Sequence, residues 1–306
     1  MPNTLAHLGV QSIITRSLLK DADYKWIYLG CIIPDFPWIL RRIVWYVCPG
    51  IDPYDLRLFA IIQSTFCFCL ILSATIAALS VNYWRVFAIL GINSFIHLFI
   101  DACQTKWANG VIFFAPFNWK LINFGLFWPE SLPTYILTVF GIYIVIWNWR
   151  RALVVPINIA YLSTLRLIML IALVAVYFTF PFLIINGPAD ADNQFVKTLR
   201  THSDRSGHYI ELDRNSFIPK PQIDSIRTFA GEEISVDGIK LDYSAPVSVK
   251  GSFVTEDKIN VSQFHVHSKW FRDCSSYVGL LLVSILSIYS LVRQKLIKGK
   301  TPGVSV

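Results

Sequence analysis

Apolar residues run almost unbroken through five stretches of the chain, residues 58–81, 84–101, 133–149, about 157–186, and 274–292. Each comes close to or exceeds the roughly 20 residues that a helix needs to cross a bilayer, so the pattern predicts a multi-pass bundle. Two earlier stretches, 8–19 and 26–33, are apolar but short, which predicts half-spans or a re-entrant pair. The aromatic segment 111–127, broken by Pro116, predicts an interfacial helix.

Between the last two spans the period changes. Val247, Val249, Gly251 and Phe253 alternate with polar neighbours, the signature of a strand with one buried face. Turn signals at Gly231 and at Asp237-Gly238 separate the runs 208–212, 225–229, 233–236, 239–243, 247–254 and 262–271. Strands that short and that closely spaced predict a small all-β domain, an OB-like barrel by strand count. The expected architecture is therefore an α-helical multi-pass membrane protein: a membrane domain in residues 1–186, an inserted extracytoplasmic β domain in 187–273, and a final transmembrane helix with a basic tail in 274–306.

Composition agrees with that pattern. Of 306 residues, 54% are hydrophobic and 15% charged, with a mean hydropathy of +0.51, outside the range of ordinary soluble domains. The net charge of +7 does not point to nucleic acid, because segment 187–273 holds 11 Lys/Arg against 13 Asp/Glu. The basic excess lies in the membrane part. There, Arg16, Lys20, Lys25, Arg85, Arg150, Arg151, Arg166, Arg293, Lys295, Lys298 and Lys300 stand on one set of loops and tails. The opposite set carries only Arg41, Arg42, Arg57, Lys106 and Lys120. The positive-inside rule makes the first set cytoplasmic, which puts the β domain outside and the C-terminus inside. Residues 1–10 show neither the basic start nor the cleavage site of a signal peptide. Of six cysteines, Cys48 and Cys274 are the two placed near the outer face, as candidates for a disulfide.

Chemistry concentrates in a few polar residues inside apolar helices. An ionisable side chain at a helix centre costs about 2.5–3.5 kcal/mol on insertion scales, so one that persists has a partner, a cavity or a metal. Asn93, His97, Asp101 and Gln104 recur at helical spacing and form a polar stripe. In the first helix, with Thr4 as the expected N-cap, His7 and Gln11 share a face; Asp35 follows Pro34 where an apolar helix ends. If the first two short helices descend and return, His7 and Asp35 meet on the same side as Asp101. Two imidazoles and two carboxylates are the N/O donors that zinc, manganese or iron accept, and a metal there would activate water for hydrolysis. His265 and His267, at i and i+2 on a strand, are read as ordinary surface residues, since no carboxylate or cysteine stands at ligand spacing beside them.

The segments Asn3-Thr4-Leu5-Ala6-His7-Leu8, Leu29-Gly30-Cys31-Ile32-Ile33-Pro34-Asp35 and His97-Leu98-Phe99-Ile100-Asp101, continuing through Asn109-Gly110-Val111 to Ala115-Pro116-Phe117, resemble the YdjM-like group of bacterial inner-membrane metal-dependent hydrolases. The resemblance covers about the first 130 residues. That group is in turn similar to zinc-dependent phospholipase C, which implies His7, Asp35, His97 and Asp101 as ligands of a divalent metal, zinc first, with Asp35 and Asp101 as the catalytic carboxylates. One departure is Ile62-Gln63-Ser64 where such proteins carry a further histidine; Gln63 is a poor ligand. Asp52, Asp55 and Arg57 in the neighbouring loop are read as a solvated charged loop. The expected activity is hydrolysis of a membrane-borne or lipid-linked phosphoester, with aromatic residues such as Trp107, Trp119 and Trp128 at interfacial depth. The alternative is a non-catalytic membrane scaffold whose β domain engages an envelope partner.

Overall fold

The computed structural model describes residues 3–154, 159–268 and 270–300. Its helices are α1 (Thr4–Leu18), α2 (Tyr24–Ile32), α3 (Phe36–Val47), α4 (Pro53–Gln63), α5 (Phe66–Ala77), α6 (Tyr83–Cys103), α7 (Leu132–Val154), α8 (Thr164–Leu183), the short α9 (Asn186–Ala191) and α10 (Val196–Arg200), and α11 (Phe271–Lys300). Among the described residues, α6, α7, α8 and α11 are long and apolar enough to cross a membrane. The strands are β1 (Tyr209–Ile218), β2 (Ser225–Arg227), β3 (Glu233–Asp237), β4 (Ala245–Thr255) and β5 (Lys258–Val266).

Helix α1 lies at the centre of the bundle, against α2, α6, α7 and α11. The α1–α7 approach depends on two glycines: a Cβ on Gly9 would enter the Gly141 backbone, and one on Gly141 would strike the Leu5 carbonyl. Small residues at a crossing let two backbones meet where lipid offers no hydrophobic driving force. Asn3, rather than Thr4, caps α1, its side chain accepting the Ala6 N–H at 3.0 Å.

Three expectations are corrected. Residues 58–81 are not one straight span; α4 and α5 meet at a 72° bend. The Ser64 and Thr65 hydroxyls donate to the Ile61 and Ile62 carbonyls at 2.9 and 2.8 Å, taking acceptors that a continuing helix would use. Segment 111–127 is not an interfacial helix but an irregular loop. Its backbone is held by the bridge Val111↔Ile122 and by the Asn123 amide, which donates to the Lys106 and Asn109 carbonyls. Cys48 and Cys274 are both free. The span expected around 157–186 begins at Thr164, capped by the Ser163 hydroxyl; residues 157 and 158 lie outside the described residues.

The β segment closes into a five-stranded barrel in the order β1-β2-β3-β5-β4, antiparallel except for β3 with β5. The alternation seen in the sequence is the barrel's inside: Val247, Val249, Phe253, Ile210, Phe217, Ile226, Ile234 and Ile259 fill one core. Run 239–243 pairs with no strand, following the turn at Gly238 (φ +94°). Beneath the barrel, the buried Arg205 guanidinium meets both oxygens of Glu232 at 2.6 and 2.7 Å.

Many basic residues of the helical part gather at one end of the bundle. Arg85 donates to the Lys20 and Asp21 carbonyls, Lys25 to Ala152, Arg166 to Ser80 and Arg293 to Leu153. The barrel sits at the opposite end, docked on the loop after α6: Ala108 N–H donates to Glu211 at 2.7 Å, Asn109 to Asp213 at 2.9 Å, and the Trp128 and His265 rings stack 3.8 Å apart.

Candidate metal centre

The four residues proposed from the sequence meet at the barrel-side end of the bundle. Asp35 ends a 3-10 turn, Ile33–Asp35, between α2 and α3, where Pro34 and Pro37 remove backbone donors and redirect the chain. His97 and Asp101 lie one turn apart on α6, and His7 lies on α1. His7 Nε2 is 3.5 Å from Asp101 Oδ1, and His97 Nε2 is 3.5 Å from Asp35 Oδ1. Atoms of His7, His97 and Asp101 fall within 4.8 Å of one another. Asp35 joins through His97, at the edge of the group.

The ring tautomers show how this contact could take a cation. His97 Nδ1 lies 2.6 Å from the Cys31 carbonyl. A carbonyl only accepts, so Nδ1 carries the proton and neutral His97 turns a bare Nε2 lone pair toward Asp35. Gln11 stands 3.3 Å from His7 Nδ1, and its oxygen is 2.8 Å from the Cys31 thiol. The amide nitrogen donates to His7 Nδ1 while its oxygen accepts from the Cys31 thiol, so the proton of neutral His7 sits on Nε2 and faces Asp101; a metal bound there would take the place of that proton. His7 Nε2, His97 Nε2 and Asp101 Oδ1 are buried without a hydrogen-bond partner. The His97 lone pair facing the Asp35 carboxylate repels it, and either a proton or a divalent cation between them removes that conflict. The spacing also suits one: two ligands each about 2.1 Å from a tetrahedral zinc stand about 3.4 Å apart.

One element of this site escapes a sequence reading, and two expectations beside it are resolved. Lys106, beyond the end of α6, places its ammonium 3.1 Å from Asp101 Oδ2, leaving Oδ1 toward the histidines. Gln63, the departure from the resembled pattern, is buried away from the cluster with its amide donating to the Tyr177 carbonyl at 3.1 Å. Asp52 and Asp55 are bound by Arg200 at 2.8 and 2.7 Å, so they supply no substitute ligand. Helical spacing finds neither Lys106 nor the Arg200 contacts, because the partners lie on separate elements.

A second group forms at the barrel's edge. Glu130, distant in sequence, reaches His267 Nδ1 at 3.0 Å and His265 Nε2 at 3.6 Å, so these histidines are not the ordinary surface pair expected. Ser248 Oγ lies 2.7 Å from His267 Nε2, which completes the outline of a Ser-His-Glu triad. The serine is nevertheless fully buried, donates to Asp213 Oδ1 and accepts from Arg214 N–H. A substrate has no approach to that oxygen, and Arg214 pairs with Glu130. The group therefore serves to dock the barrel.

In front of Asp35 and Asp101 opens a cavity of about 210 Å³ whose wall also includes Lys106, Arg57 and, from the barrel, Arg214. Comparison of the chain with protein-family models, with curated proteins and with solved structures found no match.

Proposed function

We propose that the chain is a multi-pass membrane hydrolase that uses a divalent metal, zinc by preference, to cleave a membrane-borne phosphoester. One observation carries the reading: His7 Nε2, His97 Nε2 and Asp101 Oδ1 converge in a buried pocket, none with a hydrogen-bond partner, within 4.8 Å of one another. Structural zinc sites are closed, whereas catalytic ones keep an open position. The cavity bordered by Asp35 and Asp101 provides that opening and favours catalysis over a scaffold role.

The residues then divide the work. His7, His97 and Asp101 hold the metal, which when bound supplies Lewis acidity and lowers the pKa of a coordinated water. Asp35, at the rim and 3.5 Å from His97, accepts a proton on the open side. Lys106 fixes Asp101 and adds positive charge where a phosphoryl oxygen would lie. The gathering of basic residues at the opposite end supports a cytoplasmic location for that end and an outer-face location for the metal centre and the barrel, whose five-strand order suits an OB-like fold. The family resemblance in the N-terminal segments supports the same activity.

The test is metal analysis of the purified protein, wild type beside His97→Ala and Asp101→Ala, together with phosphodiester hydrolysis. The expected result is about one zinc per chain in the wild type, with metal and hydrolysis lost together in both variants. Full metal content in either variant overturns the reading.

A further inference from the structure

The cavity before the metal centre has an unusual electrostatic composition. Six cationic side chains line it, among them Arg41, Arg57 and Arg214, against three carboxylates, Asp35, Asp101 and Asp213. Two of those carboxylates belong to the candidate ligand set, so an ion bound there would increase the positive excess. Arg41 and Arg57 have no carboxylate within salt-bridge distance among the described residues, and the Nε of each is buried without a partner. Arg57 is held rigidly all the same: its guanidinium lies 4.2 Å from the Phe229 ring centroid and donates to Gln194 at 3.2 Å. Cation–π contact and a neutral amide orient the fork while leaving its charge uncompensated. Burying guanidinium groups without counter-ions is costly, and an anion entering the cavity would offset that cost. Arginine forks match the geometry of phosphate oxygens.

Arg41 also lines a second cavity. This groove, of about 550 Å³, runs between α3, α4 and α8 and is walled by Leu40, Val44, Phe59, Phe178 and Phe182. Apart from Arg41, Gln63 and the Arg200-paired Asp52 and Asp55, its lining is apolar, and α8 presents most of its surface outward. In the membrane reading, the groove opens sideways to lipid. A cationic cavity too small for more than a head group thus adjoins an apolar groove, with Arg41 at the junction. We infer that the two cavities form one site for a single-chain lipid phosphate, the anionic group on Arg41, Arg57 and Arg214 and the hydrocarbon chain in the α3–α4–α8 groove. This rests on the hydrolase reading for its direction and names the substrate class.

Binding of dodecyl phosphate, inorganic phosphate and laurate to the full chain in maltoside micelles, stripped of metal by a chelator, tests the inference by calorimetry. Dodecyl phosphate is expected to bind at least about tenfold tighter than either of the other two, about 1.4 kcal/mol or more. Arg57→Gln and Arg41→Gln should each weaken both phosphate ligands about tenfold, while Val44→Trp, which fills the groove, should weaken dodecyl phosphate alone. Circular dichroism and thermal unfolding show whether each variant is folded, and either arginine variant suffices for the decision. Equal affinity for laurate and dodecyl phosphate, no advantage of dodecyl phosphate over inorganic phosphate, or unchanged binding in a folded arginine variant overturns the inference. Because the measurement is made without metal, such a failure leaves the zinc analysis of His97→Ala untouched, and loss of the zinc reading leaves this result standing.

Discussion

The imidazole rings of His7 and His97 stack face to face, centroids 3.9 Å apart and planes 7° from parallel, although 90 positions separate them in the chain. Parallel stacking brings both Nε2 atoms to the same edge, and the groups behind the rings decide whether that edge can bind metal. Cys31 ties the two supports together: its carbonyl accepts from His97 and its thiol contacts Gln11, which in turn reaches His7. Outer hydrogen-bond partners of metal-bound histidines typically account for 10–100-fold in affinity. Gln11→Leu should therefore lower zinc affinity about 10–100-fold without unfolding the bundle. Competition with a zinc-sensitive dye measures this, and an unchanged affinity would show that Gln11 does not orient His7.

Gly30 precedes that cysteine on α2 and packs against α6, where an added Cβ would come within 2.7 Å of the Asn93 Cβ and 3.3 Å of the Leu90 Cα. A backbone atom cannot swing aside as a side-chain tip can. Gly30→Ala should push α2 from α6 at the level of the Cys31–His97 bond, costing about 1–3 kcal/mol through overpacking and weakening zinc binding with it. Thermal unfolding and metal titration of the same sample should move together; loss of stability with intact metal affinity would separate the helix contact from the site.

Below the barrel, Arg205 is fully buried and its fork is closed by Glu232. Removing one partner of a buried pair leaves an uncompensated charge. Glu232→Ala is expected to destabilise the barrel by about 3–5 kcal/mol, far more than loss of the exposed pair Lys220–Glu233, which solvent screens. Denaturant unfolding followed by a barrel-specific probe compares the two, solvent screening making the exposed pair's loss the smaller, and equal effects would argue against a role for Arg205 in the barrel's closure.

His267, at the barrel's dock, gives the molecule a pH dependence outside the apolar helices. Burial, followed by the nearby Arg214 guanidinium, pushes its pKa down from 6.5 to about 3; Arg214 also neutralises Glu130, which would otherwise favour the imidazolium. The unfolded chain then binds a proton that the folded chain refuses between those values. The resulting stability is complete above pH 6.5 and is lost progressively as pH falls toward 3. The barrel and its dock should weaken on acidification through this window, and His267→Asn should flatten the change. A wild-type unfolding midpoint independent of pH between 6.5 and 4.5 would contradict this.

The ligand residues were legible in the sequence because helical and strand periods are local. His97 and Asp101 one turn apart, His7 beside Gln11, and alternating Val247, Val249 and Phe253 each follow from backbone geometry over a few residues. An apolar run that contains a histidine and an aspartate must compensate them whatever surrounds it. The same local logic extended too far at 58–81, where hydropathy could not register the Ser64 and Thr65 hydroxyls turning back on α4, and at 111–127, where asparagine side chains rather than helical bonds satisfy the backbone.

What the sequence determined by itself was the set of elements, their apolar character and the polar residues needing a partner. Which partner each one met was decided only by the tertiary structure. Lys106 reaches Asp101 after the chain has left α6, Glu130 reaches His265 and His267 across the barrel's dock, and Arg57 and Arg214 face one cavity from different domains. Such contacts depend on how helices and barrel pack in three dimensions, and no spacing along the chain encodes a distance of that kind.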